Sequence, residues 1–220
     1  MFMLIFKRIM SGFASGVLIG IGGTVYLSCP NKIAGAVFFS VALLCICYKE
    51  YSLFTGKVGY LALSRTKKEL SVLFCGLLGN FAGASMTAVF IMLCKLGENI
   101  YNAAAELAHG KLNQTIPETL IRAFMCGILM YMAVSVFKSK KTPLGVLFCI
   151  PVFILSGFEH SIADIFYLTA GFESTGSYLC KALLFVLLAV IGNAAGAVFI
   201  ALFDKTKEGP EKTDEVPNEQ

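Results

Sequence analysis

Long apolar runs recur along the whole chain, and they limit its possible folds more than any other feature. Apolar residues make up 57% of the 220 residues, charged residues only 15%, and the mean hydropathy is +0.76. Many of the runs are long enough to cross about 30 Å of hydrocarbon as helices, whereas a membrane barrel shows short alternating strands. The sequence therefore predicts an all-α membrane protein and excludes a soluble domain.

The apolar runs form six spans when each interrupted run is counted once. The second span is broken near residues 48–57, and the fifth is broken near residues 155–157. We expect a channel domain over residues 1–203, followed by a polar tail over 204–220 that is too hydrophilic to pack and is disordered. Within the channel domain the boundaries are a first repeat at about 9–95, an outer connection at 96–118 and a second repeat at about 119–203.

The two halves of the chain share a motif, which indicates a tandem duplication. LLGNFAGA at 77–84 recurs as VIGNAAGA at 190–197, a shift of 113 residues. The breaks at 53–56 and 155–157 also correspond. Because each repeat has three spans, its copy must cross the membrane upside down. Inverted repeats with one broken helix each are typical of transport proteins, in which the breaks meet near the midplane.

The distribution of cations sets the expected orientation. Six spans place both termini on one side, and Lys and Arg are concentrated in the segments on that side: Lys7, Arg8, Arg65, Lys67, Lys68, Lys138, Lys140, Lys141, Lys205, Lys207 and Lys212. The positive-inside rule then predicts that both termini are cytoplasmic in a multi-pass protein of the plasma (inner) membrane. Since these cations lie at helix ends, they do not indicate a nucleic-acid partner.

Three ionisable residues, Glu159, His160 and Asp164, lie together inside an apolar segment. Ionisable groups at membrane depth are costly, so such a cluster is a hypothesis about function. We expect Glu159 and Asp164 to anchor the broken backbone by accepting N–H bonds. Asn80 and Asn193 are expected to act similarly, with Asn193 nearer the solute path.

Other chemistry is not indicated. The eight cysteines lie mostly in apolar runs without metal-ligand spacing. There is also no phosphate-binding glycine loop and no nucleophile with a base. We expect no cofactor, no metal and no enzyme activity.

The segments SGFEHSIADIFY (156–167) and LFTG (53–56), with the paired GNxxGA elements, resemble the formate/nitrite transporter family over nearly all of residues 9–203. The resemblance implies an aquaporin-like fold with one pore per protomer in a homopentamer. It also implies passage of small monovalent anions such as formate, nitrite, hydrosulfide, acetate or lactate.

The same resemblance implies roles for single residues. His160 would be the central pore histidine, Thr55 its hydrogen-bond partner, and Asn193 would lie beside them. Lys111 would be the vestibule lysine. The apolar constrictions would be formed by Phe39 and Phe153 on one side and by Leu53 and Phe54 on the other. The chain departs from the family at Asp164 and Lys57, where Asn is common, and at Ser52, where Glu is frequent.

These residues suggest a mechanism. A small anion crosses apolar rings cheaply only as its neutral acid, and a histidine can hydrogen-bond or exchange a proton midway. Formate or nitrite is the expected anion, with protons as partner, and hydrosulfide or another small anion is the alternative. A neutral-solute channel or a non-transporting membrane subunit is a more distant alternative.

Overall fold

The computed structural model describes residues 2–64 and 66–207, except for the side chains of 205–207. Arg65 and the part of the predicted tail beyond residue 207 lie outside the described residues. Over the described ranges every regular element is a helix, which confirms the predicted all-α class.

The helices follow one another with short connections. In chain order they are α1 (Phe2–Ser28), α2 (Lys32–Tyr48), α3 (Phe54–Lys57) with a 3₁₀ turn at Val58–Ala62, α4 (Lys67–Met92), α5 (Gly97–Leu112), α6 (Ile116–Lys140), α7 (Leu144–Leu155), α8 (Ser161–Ala170) and α9 (Gly176–Lys207). Among the described residues, four helices are long and apolar enough to cross a membrane, namely α1, α4, α6 and α9.

The order of elements is the same in both halves. A long helix, a shorter one, an interruption, a short helix and a second long helix occur as α1 to α4 and again as α6 to α9. In each half the two long helices pack together, α1 with α4 and α6 with α9, and α2 packs against α7. This order is what the predicted duplication requires. That the halves cross the membrane in opposite directions, giving six spans, stays a prediction.

Each interruption contains one residue in the left-handed backbone region, Glu50 with φ 55° and Gly157 with φ 67°. A left-handed residue ends a helix because it cannot continue the right-handed backbone. The chain then becomes extended at Leu53 and at His160, and each of these residues is the N-cap of the next short helix. The predicted breaks thus place Leu53 and His160 at equivalent positions.

Glycines allow α1 and α4 to approach closely. The four-residue spacing of Gly12, Gly16 and Gly20 predicts a face for close helix packing. A Cβ atom added to Gly12 would collide with the Gly76 carbonyl oxygen, and one added to Gly16 with the Asn80 carbonyl oxygen. This face is therefore used inside the protomer, and it gives no support to the expected pentamer.

The connection expected as a polar loop at 96–118 contains a helix, α5. Its buried residues Ile100, Ala104 and Ala108 are four apart and form one face, which packs against α8. Gly171, at the end of α8, fits against the backbone of Ala104. The apolar stripe of α5 is narrow, so the polar composition of the segment concealed it.

We predict that Gly16→Leu destabilises the fold by about 3 kcal/mol, because the side chain would separate α1 from the α4 backbone. Gly110→Ala is the matched control, since a Cβ there has no neighbour within 4 Å and alanine favours the helix. The measurement is denaturant unfolding in detergent micelles. Equal stability of the Gly16 variant and the wild type would contradict the packing argument.

Candidate functional site

Asn80 ties the first interruption to the surrounding helices. Its Oδ1 accepts the Phe54 N–H at 2.9 Å, and its Nδ2 donates to the carbonyl oxygens of Ser52 and Gly12, both at 2.8 Å. Asn80 is fully buried. One amide therefore pairs two backbone groups of the interruption, Phe54 N–H and the Ser52 carbonyl oxygen, and ties them to the intact helix α1 through Gly12.

Asn193 does the same for the second interruption. Its Oδ1 accepts the Ser161 N–H at 2.9 Å, and its Nδ2 donates to the carbonyl oxygens of Glu159 at 2.7 Å and Ala123 at 2.8 Å. Both amide hydrogens are thus used by the backbone. Asn193 therefore anchors the backbone as Asn80 does, and it has no amide hydrogen left to donate to a solute; its place beside the solute path stays a prediction.

The two interruptions meet at a hydrogen bond between side chains. Thr55 Oγ1 lies 2.8 Å from His160 Nε2, and both residues are buried. On the other side of the ring, His160 Nδ1 accepts the Ala163 N–H at 3.1 Å and caps α8. Because Nδ1 is an acceptor, the proton of the neutral ring is on Nε2, which donates to Thr55. A second proton on the ring would break the cap.

One phenylalanine ring covers the histidine, and a second phenylalanine packs against the first. The Phe153 ring stacks on His160, with centroids 5.5 Å apart and planes 23° apart, and Phe39 meets Phe153 edge to face at 6.2 Å. All three side chains are buried. The structure therefore places Phe153 of the expected pair directly against the polar site, with Phe39 packed against Phe153.

A cavity of about 560 Å³ approaches the site from the α5 side. We call it the Lys111 cavity. It is lined by Tyr26, Lys32, Glu106, Lys111, Gln114 and Glu159, among others. Glu159 directly precedes His160, but His160 itself does not line the cavity. The cavity therefore ends one residue short of the histidine.

Lys111 is held by two carboxyl groups. Its Nζ contacts Glu159 and lies 2.9 Å from Asp164 Oδ1, while Gln114 Nε2 donates to Glu159 Oε1 at 2.6 Å. Burial opposes the charge of Lys111, but Asp164 and Glu159 outweigh burial and raise its pKa above the ordinary value of lysine. Lys111 is therefore a stable cation at physiological pH.

The same geometry corrects the role expected for the acids. The side chains of Glu159 and Asp164 bind Lys111 and, for Glu159, Gln114, and no described hydrogen bond joins either carboxyl group to a backbone N–H. The physical reason is that the two asparagine amides already satisfy the broken backbone. The carboxyl groups are left to balance the buried ammonium.

A second cavity, of about 300 Å³, approaches from the other side. We call it the Lys57 cavity, and its lining includes Leu53, Gly56, Lys57, Glu50, Lys138 and Lys141. Lys57 is partly buried and makes no ion pair within the described residues. Three lysines and one glutamate thus line this cavity, a feature that the sequence did not indicate because Lys138 and Lys141 were assigned to topology alone.

The two residues of the expected Leu53 and Phe54 constriction point in different directions. Leu53 is buried and lines the Lys57 cavity. Phe54 instead packs in a separate apolar cluster with Val58, Tyr131 and Ala197. Successive residues at a helix start diverge by about 100° around the axis, so one of the two must face away from the path.

The chain is similar to known transport proteins. The family model described as "Formate/nitrite transporter" matches residues 2–204. "Uncharacterized transporter YwcJ" of Bacillus subtilis (strain 168) is 31% identical over 60% of this chain and 56% of its own length. "Formate-nitrite transporter" of Plasmodium falciparum (isolate 3D7) is 28% identical over 90% of this chain and 75% of its own length. The chain therefore spans just over half of the first relative.

A solved structure shares the fold. The structure titled "Pentameric formate channel with formate bound" superposes with a TM-score of 0.74 and 21% identity, covering 93% of this chain and 97% of the other. At this identity the likeness shows the arrangement of helices.

We predict that Asn193→Ala destabilises the fold by at least about 3 kcal/mol, because it leaves the Ser161 N–H and the Glu159 carbonyl oxygen without their partner and removes the bond to α6. Asn102→Ala on the exposed face of α5 is the matched control. Both free energies of unfolding are measured by denaturant titration in micelles. A loss no larger than that of the control would show that the anchor is not needed.

Proposed function

The chain belongs to the formate/nitrite transporter family, and from this premise we propose that it is a channel for small monovalent weak-acid anions, formate or nitrite first. The observation that supports the proposal best is the buried His160–Thr55 pair, which lies between the ends of two cavities. The pair offers one polar position in an otherwise apolar passage. A single such position suits a solute of a few atoms.

The apolar surroundings favour passage of the neutral acid. An unpaired anion in a low-dielectric site costs many kcal/mol, whereas a neutral acid pairs its single donor and acceptor at modest cost. The Phe153 ring stacks on His160, Phe39 packs against Phe153, and Leu53, two residues before Thr55, is buried. We propose that the anion gains a proton before or at His160, and that the Nε2–H group donates a hydrogen bond to it.

Orientation and assembly are part of the proposal. With both termini cytoplasmic, the Lys57 cavity opens to the cytoplasm and the Lys111 cavity to the outside of the plasma membrane. Five copies are proposed because the solved structure of the same fold is titled pentameric. Large apolar side chains such as Phe74 and Phe90 on α4 are exposed in the single chain and suit lipid or a neighbouring copy.

We predict that His160→Asn lowers anion flux by at least about tenfold, the equivalent of one lost hydrogen bond to the solute. Asparagine can still cap α8 through the Ala163 N–H, so the fold should persist. His109→Asn, at an exposed histidine paired with Glu173, is the matched control. Flux of formate, nitrite and hydrosulfide is measured in proteoliposomes between about pH 5 and 8.

The same liposomes separate the alternatives. The proposal requires that at least one anion permeates through the wild type and through the His109 variant. Swelling in glycerol or water without any anion flux would instead identify a neutral-solute channel. Absence of all flux, with intact oligomers, would favour a non-transporting subunit.

We predict that Lys57→Gln raises the half-saturating anion concentration about two- to tenfold for flux that starts from the Lys57 cavity, because an unpaired cation concentrates anions there. Flux that starts from the Lys111 cavity should keep its half-saturating concentration. Lys140→Gln, an exposed lysine that does not line the cavity, is the control. The effect should shrink in high salt, and an effect that is independent of salt would contradict an electrostatic role.

A further inference from the structure

The cluster of Lys111, Glu159 and Asp164 has one more acidic group than it has cations. The side chains are 13%, 2% and 2% exposed, so water screens them little. Lys111 is the one residue in the described part of the chain that forms an ion pair with either acid. If both carboxyl groups were ionised, the buried cluster would carry a net charge of −1.

The two carboxyl groups differ in their hydrogen bonds. Glu159 accepts a bond at each oxygen, from Lys111 and from Gln114. Asp164 accepts from Lys111 at Oδ1 only, and its buried Oδ2 has no hydrogen-bond partner among the described residues. An anionic oxygen without a donor is far costlier in a buried site than a neutral hydroxyl. The preferred place for a proton is therefore Asp164 Oδ2.

The surrounding residues do not compensate the extra charge. Tyr26 of α1 and Tyr167 of α8 lie near the cluster, as does the thiol of Cys126 on α6. Tyrosines and buried thiols are uncharged between about pH 5 and 8. His160 is neutral in the tautomer that caps α8. From α9 the neighbour is the apolar ring of Phe185, whose centroid is 5.9 Å from Lys111 Nζ. The part of α4 that follows Cys75 in the chain has no ionisable side chain.

Charges at the rim of the Lys111 cavity cancel. Arg122 pairs with Glu118 at 2.6 Å, and the exposed Lys32 and Glu106 add one charge of each sign. The remaining buried charge, that of the cluster, therefore determines the sign of the cavity wall. A single uncompensated charge in a narrow cavity changes the local concentration of a small anion strongly.

We propose that Glu159 and Asp164 share one proton, which keeps their cluster with Lys111 neutral, and that loss of this proton at higher pH makes the cavity wall negative and excludes anions. The inference rests on the proposed anion channel. Two carboxyl groups close together commonly share a proton, because both cannot ionise cheaply. Asp164 is thus a specificity-determining residue that limits anion entry to the lower pH range.

The shared proton is tested by infrared spectroscopy of the reconstituted full chain at neutral pH. The wild type should show the carbonyl band of a buried protonated carboxyl group. Asp164→Asn and Glu159→Gln should each remove it, since either change leaves one acid for one lysine. Glu98→Gln, at an exposed glutamate on α5, should retain the band. Absence of the band in the wild type, or its persistence in both single variants, would overturn the proposal.

The effect on transport is tested with formate flux against pH. At acid pH Asp164→Asn should match the wild type, and at alkaline pH it should exceed the wild type by about tenfold, because its cluster stays neutral. A merely structural role would lower flux at every pH, and that result would overturn the proposal. If the wild type carries no anion, the proposed function fails, while the infrared result still decides whether the proton is shared.

Discussion

The structure depends on two buried asparagine side chains that satisfy backbone groups where the helices are broken. In a bilayer a broken helix exposes N–H and C=O groups that lipid cannot pair, so an interruption persists only where protein groups replace the lost bonds. Asn80 and Asn193 each supply one acceptor and one donor to the interruption, and each donates a second bond to a neighbouring intact helix. Both interruptions are fixed in this way, and Thr55 and His160, which are far apart in the sequence, therefore meet. Their side-chain atoms Oγ1 and Nε2 are 2.8 Å apart.

The charges along the passage are unequal at its two ends. The Lys57 cavity has more lysines than acids, whereas in the Lys111 cavity the lysine is offset by two carboxyl groups. Between the two cavities lies the neutral side chain of His160, on which the Phe153 ring stacks. In the proposed channel, a solute would therefore move from one electrostatic environment to another through a section in which charge is costly. This arrangement favours solutes that can lose their charge by taking up a proton.

Much of the fold could be predicted from the sequence because its signals are local and repeated. Apolar runs gave the membrane helices, and the duplicated GNxxGA motif marked both anchors. Features that depend on three-dimensional packing were missed or misassigned. The α5 helix has a narrow apolar stripe within polar residues. Phe54 packs away from the cavity that its neighbour Leu53 lines. Glu159 and Asp164 form ion pairs with Lys111 instead of hydrogen bonds with the backbone. Which partner a buried carboxyl group takes depends on residues far away in sequence.

The proposed mechanism requires that the solute crosses the His160 section without net charge. The most direct measurement is the number of protons that enter with each formate ion, recorded with a pH dye inside proteoliposomes, together with the dependence of flux on membrane potential. We expect one proton to enter with each formate ion, and the formate flux should be independent of the membrane potential. Formate flux that carries current and leaves the internal pH unchanged would contradict the proposed mechanism.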